Sequence, residues 1–114
     1  TAPPTLTPEA TMRDAVVLLA ARRGIAIAVE RGRIAGVVTA GDLARLLERE
    51  GDAFGVPVSH VMNTAPKLAR DDELGSAVVH RMEQHGIMAM PVVDANDALV
   101  GVVHLHDLMR AGAV

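Results

Sequence analysis

The segment "GVVTAGDLARL" (Gly36 to Leu46) is answered 65 residues later by "GVVHLHDLMRA" (Gly101 to Ala111), with Gly, Val, Val, Asp, Leu and Arg unchanged. Upstream, "DAVVLLAARRGI" (Asp14 to Ile25) matches "SAVVHRMEQHGI" (Ser76 to Ile87) at Ala, Val, Val, Gly and Ile, 62 residues apart. The blocks keep their order. The difference in spacing is assigned to the turn, where "VERGRIAG" becomes the longer "VVDANDALVG". Pro4/Pro66 and Leu6/Leu68 carry the 62-residue spacing further back. A chain that writes one unit of about fifty residues twice must build one small structure twice.

Within the first copy, Thr11 and Asp14 have the spacing of a capping box, with Asp in place of Glu. Met12, Ala15, Val16 and Leu19 then recur at helical intervals. Arg22 and Arg23 suit the carbonyl end of that helix, and Gly24 stops it. "IAIAV" reads as a buried strand, "ERGR" as a tight turn and "IAGVV" as a second strand. "AGDLARLLERE" reads as a second helix with Leu43, Leu46 and Leu47 on one face. The second copy repeats this order. A helix runs from about Glu73 to His85, with Leu74, Ala77, Val78 and Met82 inward and Gly86 as its stop. "IMAMPVV" and "LVGVV" are strands around the turn "DAND", and a short helix covers His106 to Ala111. Short extended pieces near Thr5–Leu6 and Lys67–Leu68 are expected at the sheet edges.

One such unit buries too little apolar surface to stand alone. The expected fold is therefore α/β (α+β): two tandem units, each a small sheet with two helices, packed sheet to sheet about a pseudo-twofold axis. The expected domains are 1–54 and 63–114, with 55–62 ("GVPVSHVM") as the linker.

Composition narrows the function. The net charge of −3 argues against a nucleic-acid binder, and Phe54 is the only aromatic residue, so no platform exists for stacking exposed bases. No apolar run approaches the roughly 20 residues of a membrane span. No basic-then-apolar leader is read, and no cysteine is present. A reducing, cytoplasmic setting is the expectation.

A helix–Gly–strand–turn–strand–helix unit that occurs twice and ends in Gly-apolar-apolar-Thr-x-x-Asp, with His104 in place of the threonine in the second copy, resembles a tandem pair of cystathionine-β-synthase (CBS) domains. "GIMAMPVVD" followed by "LVGVV" is typical of the second domain of such a pair. More finely, "GVVHLHDLMRAGAV" and "VTAGDLARL" resemble the C-terminal regulatory part of bacterial arabinose-5-phosphate isomerases of the KpsF/GutQ type. Ala40 stands where an acidic residue is expected, and Ala44 where an arginine is expected. The resemblance implies a non-catalytic regulatory module of an isomerase whose N-terminal sugar isomerase domain lies outside this sequence. It implies a nucleotide or nucleotide-sugar in the cleft between repeats, with CMP-Kdo, the activated end product of Kdo and lipopolysaccharide sugar synthesis, as a candidate. It also implies a homodimer or higher homo-oligomer. The alternative is a structural dimerisation module with empty clefts. No cofactor is expected beyond a regulatory ligand.

Candidate site residues follow from the same comparison. Thr39 and Asp42 fit a helix N-cap, in which the threonine oxygen accepts a backbone N–H. The resemblance adds a ligand role, with the hydroxyl on a phosphate or ribose and the carboxylate on ribose hydroxyls. The two roles are compatible. His104 and Asp107 are the second-copy counterparts, and histidine is a poor N-cap. Met88, Met90 and Pro91, with Ile25 and Ile27 as first-copy counterparts, are either core or the walls of a base pocket. Lys67 and Arg70 either solvate a surface or meet a phosphate.

On a strand His104 and His106 would share a face, but a stable zinc site needs three or four ligands, and His60, His80 and His85 are scattered. A His/Asp catalytic pair lacks a nucleophile in a suitable context. Neither metal nor catalytic residues are expected.

Overall fold

The computed structural model describes residues 2–21 and 24–112. It contains two compact units, Thr1–Pro66 and Lys67–Val114. In the first, β1 (Thr5–Leu6), α1 (Met12–Ala21), β2 (Ile25–Glu30), β3 (Arg33–Thr39) and α2 (Ala40–Arg49) follow in order. In the second the order is β4 (Ala69–Arg70), α3 (Gly75–His85), β5 (Ala89–Val93), β6 (Leu99–His104) and α4 (Leu105–Arg110). Each sheet has three strands. The central one pairs parallel to the short edge strand and antiparallel to its hairpin partner. Both hairpins carry a register shift at the matching place, Ala28/Val29 and Val92/Val93. The mixed α/β architecture and the doubling of one unit are thus as the repeat requires. Arg22 and Arg23, expected in the last turn of the first helix, lie outside the described residues.

Each unit has its own core, because one face of each sheet and one stripe of each helix are apolar. In the first, Met12, Ala15 and Leu19 of α1 and Leu46 of α2 close on Ala26, Ala28 and Val38. In the second, Val78, Val79 and Met82 of α3 and Leu105 of α4 close on Ala69 and Met90. Three expected inward residues are not inward. Leu47 is half exposed, Leu74 is mostly exposed, and Ala77 is exposed. Leu74 precedes the first turn of α3 as its N-cap, outside the helical period used to place it.

Gly24 and Gly86 take φ of +90° and +67° after the helices, a left-handed turn that glycine enters without steric cost.

The segment expected as a linker is held to the first unit. Phe54 and Val56 offer carbonyls to the N–H groups of Arg13 and Met12 at 3.1 and 2.8 Å. These are donors that the start of a helix leaves without partners. Ala53 and Val58 are buried in the first core, and Val58 and Ser59 donate to Ala10 and Pro8. Asn63 and Val37 exchange both backbone hydrogen bonds, at 3.0 and 2.8 Å. That pairing brings Met62 and Asn63 onto Gly36, where a Cβ would lie 2.7 Å from Met62 Cγ and 2.9 Å from the Asn63 carbonyl. Only glycine fits there. At the repeated Gly101 the same space is open.

The register corrects one sequence expectation. Ile25 stands opposite Thr39, and Ala89 stands opposite His104. Thr39 and His104 are equivalent by the repeat, so Ile25 corresponds to Ala89, Ala26 to Met90, and Ile27 to Pro91. Met88 and Met90 are therefore not counterparts of Ile25 and Ile27. Part of the extra length lies before β5, at Ile87 and Met88, and only part lies in the hairpin. The shared Gly-Ile dipeptide extends the helical alignment two residues too far. Setting Met88 and Met90 against Ile25 and Ile27 is a slip of one residue, which exchanges the two sheet faces; Met90 lies in the helix-facing core, as Ala26 does.

Among the described residues no helix is long and apolar enough to cross a membrane.

Candidate functional site

Each hairpin runs directly into the second helix of its unit, so the last strand residue is also the helix N-cap. In the first unit that residue is Thr39, extended at φ −117° and ψ 169°. Its hydroxyl accepts the Asp42 backbone N–H at 3.4 Å, and Asp42 Oδ2 accepts the Thr39 N–H at 2.8 Å. The same Oδ2 also accepts the Thr39 hydroxyl at 3.1 Å. The capping box is complete, and it fixes both candidate ligand groups side by side, half-buried, at the end of β3.

In the second unit His104 holds the N-cap position and makes no side-chain cap hydrogen bond. Its Nδ1 stands 3.9 Å from Asp107 Oδ2, an ion-pair distance rather than a hydrogen bond. The His104 side chain is 18% exposed and that of Asp107 45%, against 18% for Asp42, so the second carboxylate is the more open. The Met88 carbonyl accepts the Leu105 N–H at 2.9 Å, which ties the extra residues before β5 to the first turn of α4.

The remaining candidates divide. Ile25 and Ile27 are buried, and Ile25 is the direct neighbour of Thr39 across the hairpin. Met90 is buried in the helix-facing core, so its side chain serves packing. Pro91 is buried, and its missing N–H is the equivalent of the Ile27 N–H, which bonds the Pro4 carbonyl at 2.8 Å. The parallel pairing of β4 with β5 accordingly starts only at Val92. Met88 is half exposed. Lys67 is exposed ahead of β4. Arg70 is committed elsewhere, to the Asp94 carbonyl at 3.1 Å and Asp97 Oδ1 at 2.9 Å. His60, His80, His85 and His106 are exposed, and among the described residues no three metal-ligating side chains come together.

Two arrangements escaped the sequence reading. Arg45 bonds Asp42 Oδ1 at 2.5 Å, and Arg110 bonds Asp107 Oδ1. The signal was present, because this arginine is one of the repeated identities and stands three residues past the aspartate in both copies. The second arrangement is a clamp in the second unit. Arg81 reaches the Leu68 carbonyl and both Glu73 oxygens, and Glu73 Oε2 also accepts the Arg70 N–H at 2.7 Å. The hydrogen bond from Arg81, and then that from the Arg70 backbone, hold the Glu73 carboxyl below its ordinary range. The same contact raises Arg81.

Comparison with known proteins accords with this geometry. The sequence profile of the CBS domain matches residues 1–49 and 58–114. The arabinose 5-phosphate isomerase KdsD of Pseudomonas aeruginosa is 40% identical over 96 residues, covering 82% of this chain and 29% of that protein. The Yersinia pestis protein of the same name is 34% identical over 114 residues, covering 97% of this chain and 34% of that one. The chain thus spans about a third of the length of these curated relatives. Among solved structures, a CBS domain protein from Pyrobaculum aerophilum, complexed with AMP, is 29% identical with a TM-score of 0.84, over 94% of this chain and 83% of that one. A CBS domain pair solved with 5′-methylthioadenosine and S-adenosyl-L-methionine shares the fold, with a TM-score of 0.85 at 24% identity over 98% and 89% of the two chains. Both halves of the chain carry the match, and the chain belongs to the CBS domain family as a tandem pair.

Proposed function

We propose that this CBS pair is a regulatory module that binds a nucleotide or nucleotide-sugar at the strand ends of its repeats. The observation that carries the reading is the fixed Thr39–Asp42 pair at the β3–α2 junction, together with the AMP bound by the Pyrobaculum aerophilum relative. A carboxylate beside a hydroxyl offers acceptors for two vicinal ribose hydroxyls, and the first turn of α2 supplies positive potential for a phosphate. In this reading Ile25 and Ile27 border the base in the first repeat. His104 and Asp107, with Met88 and Pro91, take the matching roles in the second, and Lys67 meets the anionic end. The absence of aromatic residues beyond Phe54 makes any base pocket aliphatic.

The KdsD likeness supports a parent protein in which the pair acts on an arabinose-5-phosphate isomerase domain. In this reading that parent is cytoplasmic and a homo-oligomer. CMP-Kdo, as end product, is the nucleotide-sugar to try first. The domain limits in this reading are 1–54 and 63–114, with 55–62 a joining segment that the first domain holds.

A thermal-shift series of the chain against AMP, ATP, CMP and CMP-Kdo tests the reading. A dose-dependent rise with at least one of them, at about 2.7 kcal/mol for ligand at a hundred times Kd, is expected. A flat response to all four, with an unchanged oligomer on sizing, supports a structural dimerisation module instead.

A further inference from the structure

The carboxylate of Asp42 is engaged on both oxygens. Oδ2 faces Thr39 and accepts its N–H and its hydroxyl. Oδ1 faces Arg45. The Arg45 side chain is 68% exposed, yet it doubles back one turn toward the start of α2. A Cβ built on Gly41 would lie 3.5 and 3.8 Å from its two terminal nitrogens and 3.7 Å from Thr39 Oγ1. The guanidinium therefore rests over the same first turn that carries Thr39 and Asp42. In the second repeat Arg110 also pairs with Asp107, but His106 stands at the position of Gly41.

An exposed ion pair of this kind is weak and exchangeable. A ribose diol that approaches Asp42 finds Oδ2 turned to Thr39 and must take Oδ1. That is the oxygen Arg45 holds. A bare nucleoside then breaks an ion pair and leaves the cation with water alone. A nucleotide breaks the same pair but brings a phosphate, which a planar guanidinium meets with two parallel N–H donors.

Building on the nucleotide reading above, we propose that Arg45 is a displaceable placeholder that sets specificity at the first repeat. It occupies Asp42 Oδ1 in the empty site, yields it to a ribose diol, and turns to the phosphate of the same ligand. The first repeat thereby selects phosphorylated nucleosides over bare ones. The residue it needs beneath it, Gly41, is absent from the second repeat.

The test is calorimetric titration of AMP and of adenosine into the chain and into its Arg45→Met and Arg45→Lys variants, with melting temperatures as the check on folding. Arg45→Met is expected to weaken AMP and tighten adenosine, so that the preference for AMP falls about tenfold. Arg45→Lys, which keeps charge without the fork, is expected to lie between. An AMP-to-adenosine ratio unchanged within about twofold, or both affinities lost together, overturns the role of Arg45 while the nucleotide reading stands on the unsubstituted chain. Failure of the unsubstituted chain to bind either compound overturns this proposal, and the nucleotide reading falls with it only if ATP, CMP and CMP-Kdo also fail to bind.

Discussion

Asp42 accepts both the backbone N–H and the hydroxyl of Thr39 through one oxygen, at 2.8 and 3.1 Å. The residue that ends β3 and the residue that would bind a ligand are thus locked by the same contacts that start α2. Thr39→Ala removes the hydroxyl that accepts the Asp42 N–H. It should lower stability by about 1 kcal/mol, the usual loss for an N-cap threonine. Chemical denaturation of the two proteins measures it, and Thr39→Ser should retain most of the stability.

The second repeat should gain from the reverse change. His104 makes no side-chain cap hydrogen bond at the N-cap of α4. His104→Thr restores the capping signature of the first repeat ahead of Asp107. A stabilisation of about 0.5–1 kcal/mol is expected from the new cap. Denaturation midpoints at neutral pH decide it, and a fall in the midpoint would show that His104 contributes more by its other contacts than a cap returns.

Glycine is required at one repeated position and not at the other. Gly36→Ala puts a Cβ against Met62 and the Asn63 carbonyl, and an overpacked site of this kind costs about 1–3 kcal/mol. Gly101→Ala meets nothing within 4 Å and lies in β6, so it should change stability by less than about 0.5 kcal/mol. Paired denaturation curves distinguish the two sites.

Acid should act on the second unit through Glu73. Its carboxyl titrates below its ordinary value of 4.5 because Arg81 and the Arg70 N–H bond its charged form. A folded-state value below the unfolded one means that the stabilisation is fully present above about pH 4.5 and is lost as pH falls through the lower folded value. Glu73→Gln should cost about 1 kcal/mol at pH 7 and show less of the loss as pH falls below 4.5. Urea midpoints across that range check the sign.

The doubling of the unit, the element order and the stop glycines were legible because repeated identities and a period of 3.6 or 2 survive in one sequence. The Thr39–Asp42 cap was legible for the same reason, since a capping box is local. The match of Ile27 to Pro91 was not, because the two extra residues before β5, Ile87 and Met88, follow a shared Gly-Ile dipeptide, and Ile, Met, Ala, Met, Pro and Val in a row are all apolar, so no inward and outward alternation marks the register. The tie of residues 55–63 to the first unit was not, because it depends on contacts with Pro8, Ala10, Met12 and Val37, far off in the chain, and no local pattern encodes them. Arg45 and Arg110 were visible as identities, but only the helical turn brings each back onto its aspartate.

Nucleotide binding through the paired aspartates is tested most directly by titrating AMP into the chain and into the Asp42→Asn/Asp107→Asn double variant. Asparagine keeps one acceptor oxygen for the cap but removes the charge and the second acceptor. Saturable binding to the unsubstituted chain, weakened about tenfold or more in a double variant that still melts cooperatively, is the expected result. Equal binding by both proteins would contradict the assignment of the site to these aspartates.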